Sequence, residues 1–461
     1  MHISSKYCFS LLLCSAVAVS AFAQQADTTQ QGTAGTQVVR TMDDLRERIL
    51  LDRIEQLEKR LADLEGRTAS AQPAPGQSAS TSAPAAQEPA PAMPPAQAPV
   101  ATPAPEPTPP TWSVGPIDFT GLVDGYYSFN FNHPSSQLNQ LYNFDVKANQ
   151  FSLNMAKLTL AHTPDPVGFQ VDLGFGRAFE IIHANEPSTA PSFLRNIEQA
   201  YLSLKPAKAK GFEVDFGQFV TSAGAEVIET NSNWNYSRSL LFAFAIPYYH
   251  FGIRTSFPVG KYFTGGVQLV NGWNNVEDNN SGKTVGLTGT FTTKKFAWSN
   301  NYYGGPENPN TNTGWRHLFD TNLLLTPNSK VNAYINFDYG QNTLPTGVLT
   351  VTGRNTGKWY GVAGALHIQP NSKWGVTPRL EWFKDRDGFS TGLPQDLKEV
   401  TLTGEYKMIE GLLARLEYRR DWSNQPFFQR GSTVNGITGF GTSKNQDTLS
   451  LGVLAFFGPK R

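Results

Sequence analysis

The feature that most limits what this chain can become is an alternation of apolar and polar residues, running from about residue 112 to residue 461. Ile117, Phe119, Gly121, Val123, Gly125, Tyr127 and Phe129 share one face of an extended segment. Asp118, Thr120, Asp124, Ser128 and Asn130 share the other. Phe169, Val171, Leu173 and Phe175 oppose Gln170 and Asp172 in the same way, and Leu412, Ala414, Leu416 and Tyr418 oppose Arg415, Glu417 and Arg419. The pattern recurs at 331–339 and 448–457. Side chains alternate across a strand, so each segment offers one face to an apolar medium and one to a polar medium. Each segment is roughly ten residues, the length a tilted strand needs to cross a bilayer. One segment breaks step: Phe151, Leu153 and Met155 have one parity and Leu158 and Leu160 the other, which a β-bulge would reconcile.

The connections separate a barrel from a sandwich. Tight Pro- and Gly-containing turns fall at 163–168, 205–211, 257–261, 293–295, 326–330, 369–373 and 408–411. Between them lie longer polar loops at 132–149, 183–195, 221–249, 272–282, 304–314, 341–357, 386–396 and 422–446. Eight long loops and seven short turns join sixteen strands. An up-and-down antiparallel barrel with one short-turn rim and one long-loop rim produces this rhythm. The expected fold is therefore an all-β transmembrane barrel spanning 112–461, its polar face lining water and its apolar face meeting lipid. A soluble lipocalin-like or lectin-like protein would need a very large ligand cavity to use the same alternation.

The first 111 residues read differently. Residues 1–23 carry Lys6, an apolar stretch from Phe9 to Val19 and Ala21-Phe22-Ala23, the pattern of a secretory signal. Cys14 raises a lipoprotein alternative, but Leu13 before it is larger than the small residue normal there. The two cysteines of the chain, Cys8 and Cys14, both lie within this segment, so the mature protein would use neither disulfides nor thiolate metal sites. Residues 38–66 read as a helix in which Leu50, Ile54, Leu57, Leu61 and Leu64 form a coiled-coil seam; a single amphipathic helix is the alternative. Residues 70–111 hold 13 prolines in 42 positions, an extended linker with a reach of roughly 130 Å.

Composition removes several functions. Thirty-eight basic and thirty-eight acidic side chains balance, so no electrostatic case for nucleic acid exists. His133, His162, His183, His250, His317 and His367 are scattered singly, and no HExxH, GxSxG or metal-ligand spacing appears. The chain is expected to be no enzyme and to need no cofactor or metal.

The stretch "VDFGQFVTSAGAEVIETNSNWNYSRSLLFAFAIPYYHFGIR", above all "FGQF", "GAE", "NYSRSLLF" and "PYYHFG", resembles the outer-membrane β-barrel porins of the OmpL-like (porin-2) group over roughly 112–461. The resemblance implies a Gram-negative outer membrane, with the helix and linker in the periplasm. It also implies passive or weakly selective passage of small hydrophilic solutes or ions. It supplies no solute. A trimer held in part by the helix fits the same likeness. The leading alternative is a structural tether, in which the helix contacts peptidoglycan and the barrel only anchors it. Barrels of this kind commonly end on an aromatic residue, whereas here four residues follow Phe457.

The stretch 221–249 is the third long loop and the longest. In sixteen-stranded general porins, by resemblance, that loop folds inward and narrows the pore. Its apolar run Leu240, Leu241, Phe242, Phe244 and Ile246 would then pack on the wall, while Glu226, Glu229, Asn231, Asn233 and Asn235 would face the channel. Packing on neighbouring loops or on a second subunit is the alternative. Inward parity places Arg254, Arg379, Arg415 and Arg419 across the lumen, and Arg238 on the loop itself completes the constriction candidates. Asp118, Asp124, Asp172, Glu198, Glu213 and Asp215 are the inward carboxylates of the early strands, so acidic early strands would face basic late ones. Charges of this kind also line any water-filled barrel simply to be solvated.

Overall fold

A computed structural model describes residues 113–186, 191–436 and 438–458. The signal segment, the 38–66 helix with its seam and the 70–111 linker lie outside the described residues.

The described chain winds into one closed antiparallel sheet of sixteen spanning strands. In chain order these are β1 (Ile117–Asn130), β2 (Gln150–His162), β3 (Val167–Phe175), β4 (Ile197–Leu204), β5 (Glu213–Val220), β6 (Tyr249–Val259), β7 (Phe263–Val270) and β8 (Thr284–Thr292). There follow β9 (Phe296–Pro306), β10 (Trp315–Leu325), β11 (Val331–Thr343), β12 (Thr356–Ile368), β13 (Trp374–Asp385), β14 (Gln395–Ile409), β15 (Leu412–Ser423) and β16 (Asn445–Phe457). Each strand pairs with the next, and β16 returns to β1 with Thr448 opposite Asn130 and Phe457 opposite Gly121. Closure leaves no spanning strand with an open edge, which the dry core of a bilayer would not tolerate. Two residues, Ser113 and Val114, fold back onto the start of β1.

Exposure is inverted relative to a soluble protein. Along β15, Leu416 and Tyr418 are 54% and 39% exposed while Arg415 and Arg419 between and beside them are 2% and 0% exposed. The apolar face meets lipid and the polar face packs inward. Short turns occupy one rim and longer loops the other, the longest being 221–248.

Two bulges matter for what faces inward. Asp124 pairs with Met155 and Gly125 with Leu153, so Asn154 is an extra residue in β2. It explains the change of parity: Phe151 and Leu153 are exposed before it, and Leu158 after it. In β4 the register slips between Asp172 and Leu173, whose partners are Gln199 and Ile197, and Glu198 is the extra residue. Both Glu198 and Gln199 are buried there.

The third strand is shorter than the alternation suggests. It ends at Phe175, and residues 177–182 form a helix, α1 (Arg177–Ile182), rather than more strand. Gly176 makes the corner with φ of 114°, a region closed to most side chains. Beyond it Ala178, Phe179 and Ile182 follow helical spacing, and all three are buried. The loop expected at 183–195 therefore begins at residue 176.

Candidate functional site: a loop packed against the inner wall

The loop 221–248 carries its own short helix, α2 (Leu240–Phe244), and is hydrogen-bonded to inward side chains of β1, β2, β6, β7 and β9–β15. Ser239 caps α2, its hydroxyl accepting from Phe242 N at 3.0 Å. Glu381 on β13 accepts Leu240 N at 2.8 Å, so a wall carboxylate satisfies another N–H of the first turn. Leu240, Leu241 and Phe242 are buried. Gly361 on β12 makes room for them: a Cβ there would lie 2.7 Å from Leu241 Cδ2. Trp359, also on β12, donates its indole N–H to Ala245 O at 3.2 Å, and Phe244 meets Phe383 of β13. The apolar half of the loop thus packs on the wall.

The polar half is held by charge. Arg379 on β13 donates to Glu226 Oε1 at 2.8 Å and to Ser237 O at 2.7 Å, and ion-pairs with Glu381 and Glu399 at 3.1 Å each. Arg415 on β15 donates to the carbonyls of Thr230, Asn233 and Asn235 at 2.6, 2.5 and 3.1 Å, and pairs with Glu405 at 2.8 Å. Arg419 donates to Arg238 O and pairs with Asp421, both at 2.7 Å. Glu417 accepts Tyr236 N and Ser237 N at 2.6 and 2.9 Å. Asp124 on β1 accepts from Thr230 Oγ1, Tyr236 OH and Asn154 Nδ2 at 2.5, 2.7 and 2.7 Å. On the far side Asp320 accepts Gly224 N, Asn336 accepts Ala225 N, and Asn301 donates to Ser222 O. Such charge-assisted bonds are about twice as strong as neutral ones. Arg238 itself is buried within the loop, donating to the carbonyls of Val227, Ile228 and Tyr236 and to Thr230 Oγ1.

The candidate residues separate into groups. Glu226 with Arg238, Arg379, Arg415 and Arg419 form one buried network. Glu226 is in direct contact with Arg379 rather than across a gap from it, and Asn233 and Asn235 are buried too. Glu229 and Asn231 retain partial exposure. Glu229 faces Lys157 of β2 at 2.5 Å, with Asp172 and Glu198 beside it. Arg254 lies elsewhere, between β5 and β6. It pairs with Asp215 at 2.7 Å and sits over the rings of Tyr201 and Phe219. Asp118 and Glu213 sit near the short-turn rim, bonded to Ser113 and Lys205.

The expected division into acidic early and basic late strands does not hold. Glu381, Glu399, Glu405, Glu417 and Asp421 face inward from the same late strands as the three arginines. Their odd numbering matches that of Arg379, Arg415 and Arg419, so the alternation marks them equally. The alternation does not mark Lys157, because the bulge at Asn154 reverses the parity of β2 before it.

In the loop 131–149, Asp145 is buried, and burial pushes its carboxyl up to about 7 against the opposing pull of Arg419 and Arg238. Neither of its oxygens has a hydrogen-bond partner among the described residues.

Across residues 116–457 the chain matches the family described as "Putative beta-barrel porin-2, OmpL-like". The chain belongs to this OmpL-like porin-2 family. It is an outer-membrane β-barrel of the porin class. No curated protein matches this porin-2 chain. Similar solved barrels include OmpT of Vibrio cholerae (13% identity, covering 74% of this chain and 97% of that one, TM-score 0.48). Salmonella typhi OmpF in complex with daunomycin is similar at 14% identity, 74% and 97% coverage and TM-score 0.49. The anion-selective porin from Comamonas acidovorans is similar at 10% identity, 74% and 99% coverage and TM-score 0.48. None of these likenesses bears on the solute or selectivity of this porin-2 barrel.

Proposed function

We propose that this porin-2 barrel is a water-filled channel for passive diffusion of small hydrophilic solutes or ions, and that loop 221–248 is its constriction. The observation that carries the reading is the anchoring of that loop. Its backbone and side chains are bonded to inward side chains from β1 on one side to β7 and β9–β11 on the other. A loop so held occupies the lumen as a fixed wall and leaves passage along the arc it does not cover. Support for that arc comes from β6–β9, where inward Ser256 and Thr264 are exposed and Arg254, Thr288, Thr290 and Ser299 keep partial exposure. The reading is of a channel and not an enzyme. Inward His250 lies within hydrogen-bond reach of Gly272 O and Thr221 Oγ1, and inward His367 of Thr377 Oγ1, which are contacts within the wall and at the loop's first residue.

The test is single-channel recording. Purified full-length protein in planar bilayers should open discrete conductance steps, and a variant lacking 240–246 should open larger ones if it folds. Folded, inserted protein that passes no current would remove the channel reading.

A further inference from the structure

Three carboxylates widely separated in sequence meet where the loop touches the wall. Asp172 comes from β3, Glu198 from the bulge of β4 and Glu229 from the loop, and one oxygen of each lies within 4.8 Å of the others. Lys157 stands among them, its Nζ 3.0 Å from Asp172 Oδ2, 3.1 Å from Glu198 Oε2 and 2.5 Å from Glu229 Oε1. When all are ionised, three negative charges and one positive leave the cluster at −2. Two amides, of Gln170 and Gln199, donate to Asp172 Oδ2 at 3.0 and 2.6 Å.

The lysine does not complete the site. Glu198 is fully buried, yet its Oε2 has only the Lys157 ammonium and its Oε1 has no partner among the described residues. Asp172 Oδ1 likewise has none. Buried carboxylate oxygens without donors are costly, and the usual remedies are a donor, a proton or a cation. No further donor is present among the described residues, and an ammonium has only three N–H groups to give. The donor set is all oxygen, anionic and partly free. Hard divalent cations take such sets, and calcium takes six to eight oxygens in flexible geometry with water completing the shell.

We propose that Asp172, Glu198 and Glu229 form a calcium site that Lys157 partly neutralises. The ion enters from the loop side, where the Glu229 side chain is 26% exposed and Lys157 only 5%. Its charge cancels the remaining −2. It ties Glu229 on the loop to Asp172 and Glu198 on the wall, so calcium stiffens the attachment of the loop at this edge. The spacing of the three residues in sequence is too wide for any ligand motif, and only the bulge turns Glu198 inward beside Gln199.

The experiment is a calorimetric titration of CaCl2 into EDTA-treated, dialysed full-length protein folded in detergent micelles. No conduction is involved, so the result stands apart from the channel reading. The wild type should show one saturable site and a higher thermal midpoint in calcium. Asp172→Asn and Glu198→Gln should each weaken binding roughly tenfold or more, since calcium affinity follows ligand charge. Glu229→Gln, at a partly exposed position that folding tolerates, should weaken it in the same direction. Lys157→Met should bind more tightly than the wild type. Absence of saturable binding by the wild type would overturn the proposal, including the case in which Lys157→Met alone binds and the lysine is the cation the site was built for. So would binding that all three carboxylate variants leave unchanged.

Discussion

The inner faces of β13–β15 and of β6–β9 belong to one barrel and follow one alternation, but they are chemically unlike. The first carries Arg379, Glu381, Glu399, Glu405, Arg415, Glu417, Arg419 and Asp421, all of them buried. The second carries Ser256, Thr264, Thr288, Thr290 and Ser299 toward the short turns, none of them buried and none charged, with Arg254 the exception, while His250, Gln268, Thr284, Asn301 and Tyr303 toward the long loops are buried. The charged arc is where the loop lies. Its ions meet each other and the loop backbone at 2.5–3.1 Å, distances that leave no room for water between. The loop bonds the second face only through His250, Gln268, Asn301 and Tyr303, and the hydroxyls toward the short turns make no bond to it among the described residues. An inward charge in this barrel is therefore first a means of attaching the loop, and an inward side chain left open to water is first a neutral one.

The largest effect that would test this contrast comes from Arg379→Met. It leaves Glu226, Glu381 and Glu399 buried without their shared cation, and breaking such a group costs about 3–5 kcal/mol. Arg254→Met removes an equally inward arginine from the other arc, where the pair with Asp215 is 24% exposed on the arginine side. That change should cost less, about 1–3 kcal/mol, because buried Asp215 loses one partner and keeps the bond from Ser203 Oγ. Heat-modifiability on gels, read as the temperature at which the folded band disappears, compares the two. Equal losses would mean that the arcs are not distinct.

Next in size is Leu241→Ala. The side chain is fully buried against Gly361, and truncation of a buried leucine costs about 2–5 kcal/mol. The loop should loosen while the sheet stays closed, so conductance should rise with the barrel still folded. A folded variant with unaltered conductance would place the loop's apolar run outside the narrow part of the pathway.

How much of this was legible follows from what the alternation can and cannot carry. Sixteen strands, closure and the third long loop are properties of period two and of turn chemistry, which act locally and repeat. The apolar run at 240–246 was legible as wall-packing because it breaks that period over a short span. The helix at 177–182 was not, because Phe175 and Phe179 continue the strand parity while serving a different element. The charge pairing was not legible either. Parity gives a side chain's direction but not its partner, and Arg379 finds Glu226 across 153 positions. The two bulges are the remaining gap. Each adds one residue without any glycine or proline to announce it, and together they decide the inward placement of Lys157 and Glu198.

A smaller effect separates the two glutamates of the loop. Glu226 is buried against Arg379, whereas Glu229 keeps contact with solvent. Glu229→Gln should move the reversal potential in a salt gradient toward anions. The movement should shrink as salt rises, because the screening length falls from about 10 Å at 0.1 M to about 3 Å at 1 M. Glu226→Gln should lower stability and change selectivity less. Glu277, exposed in the loop between β7 and β8, is the matched control. Glu307 and Asp387 would be poor controls, since both are buried and paired with arginines. If Glu277→Gln moves the potential as far as Glu229→Gln does, the third loop has no special place in the field.

The smallest expected effect belongs to Asp145, which sits under the charged arc in the loop between β1 and β2. Its carboxyl is raised from an ordinary 3.8 to about 7, chiefly by burial, with the charge of Glu417 adding to the rise and Arg419 and Arg238 opposing it. The folded state therefore keeps the proton up to about pH 7, while the unfolded chain loses it near 3.8. The stability this group contributes is fully present below 3.8 and falls as pH rises to about 7. The slope is at most about 1.4 kcal/mol for each pH unit, and it flattens above the folded value. Asp145→Asn cannot titrate, so its folding midpoint should exceed that of the wild type by more at pH 8 than at pH 5. Taking the difference between the two proteins at each pH cancels the titration of every other group. A difference that is the same at both pH values would mean that Asp145 is ionised in the folded barrel throughout. Arg238 and Arg419 would then serve as its counter-charges, and the charged arc would extend through one more loop than its hydrogen bonds show.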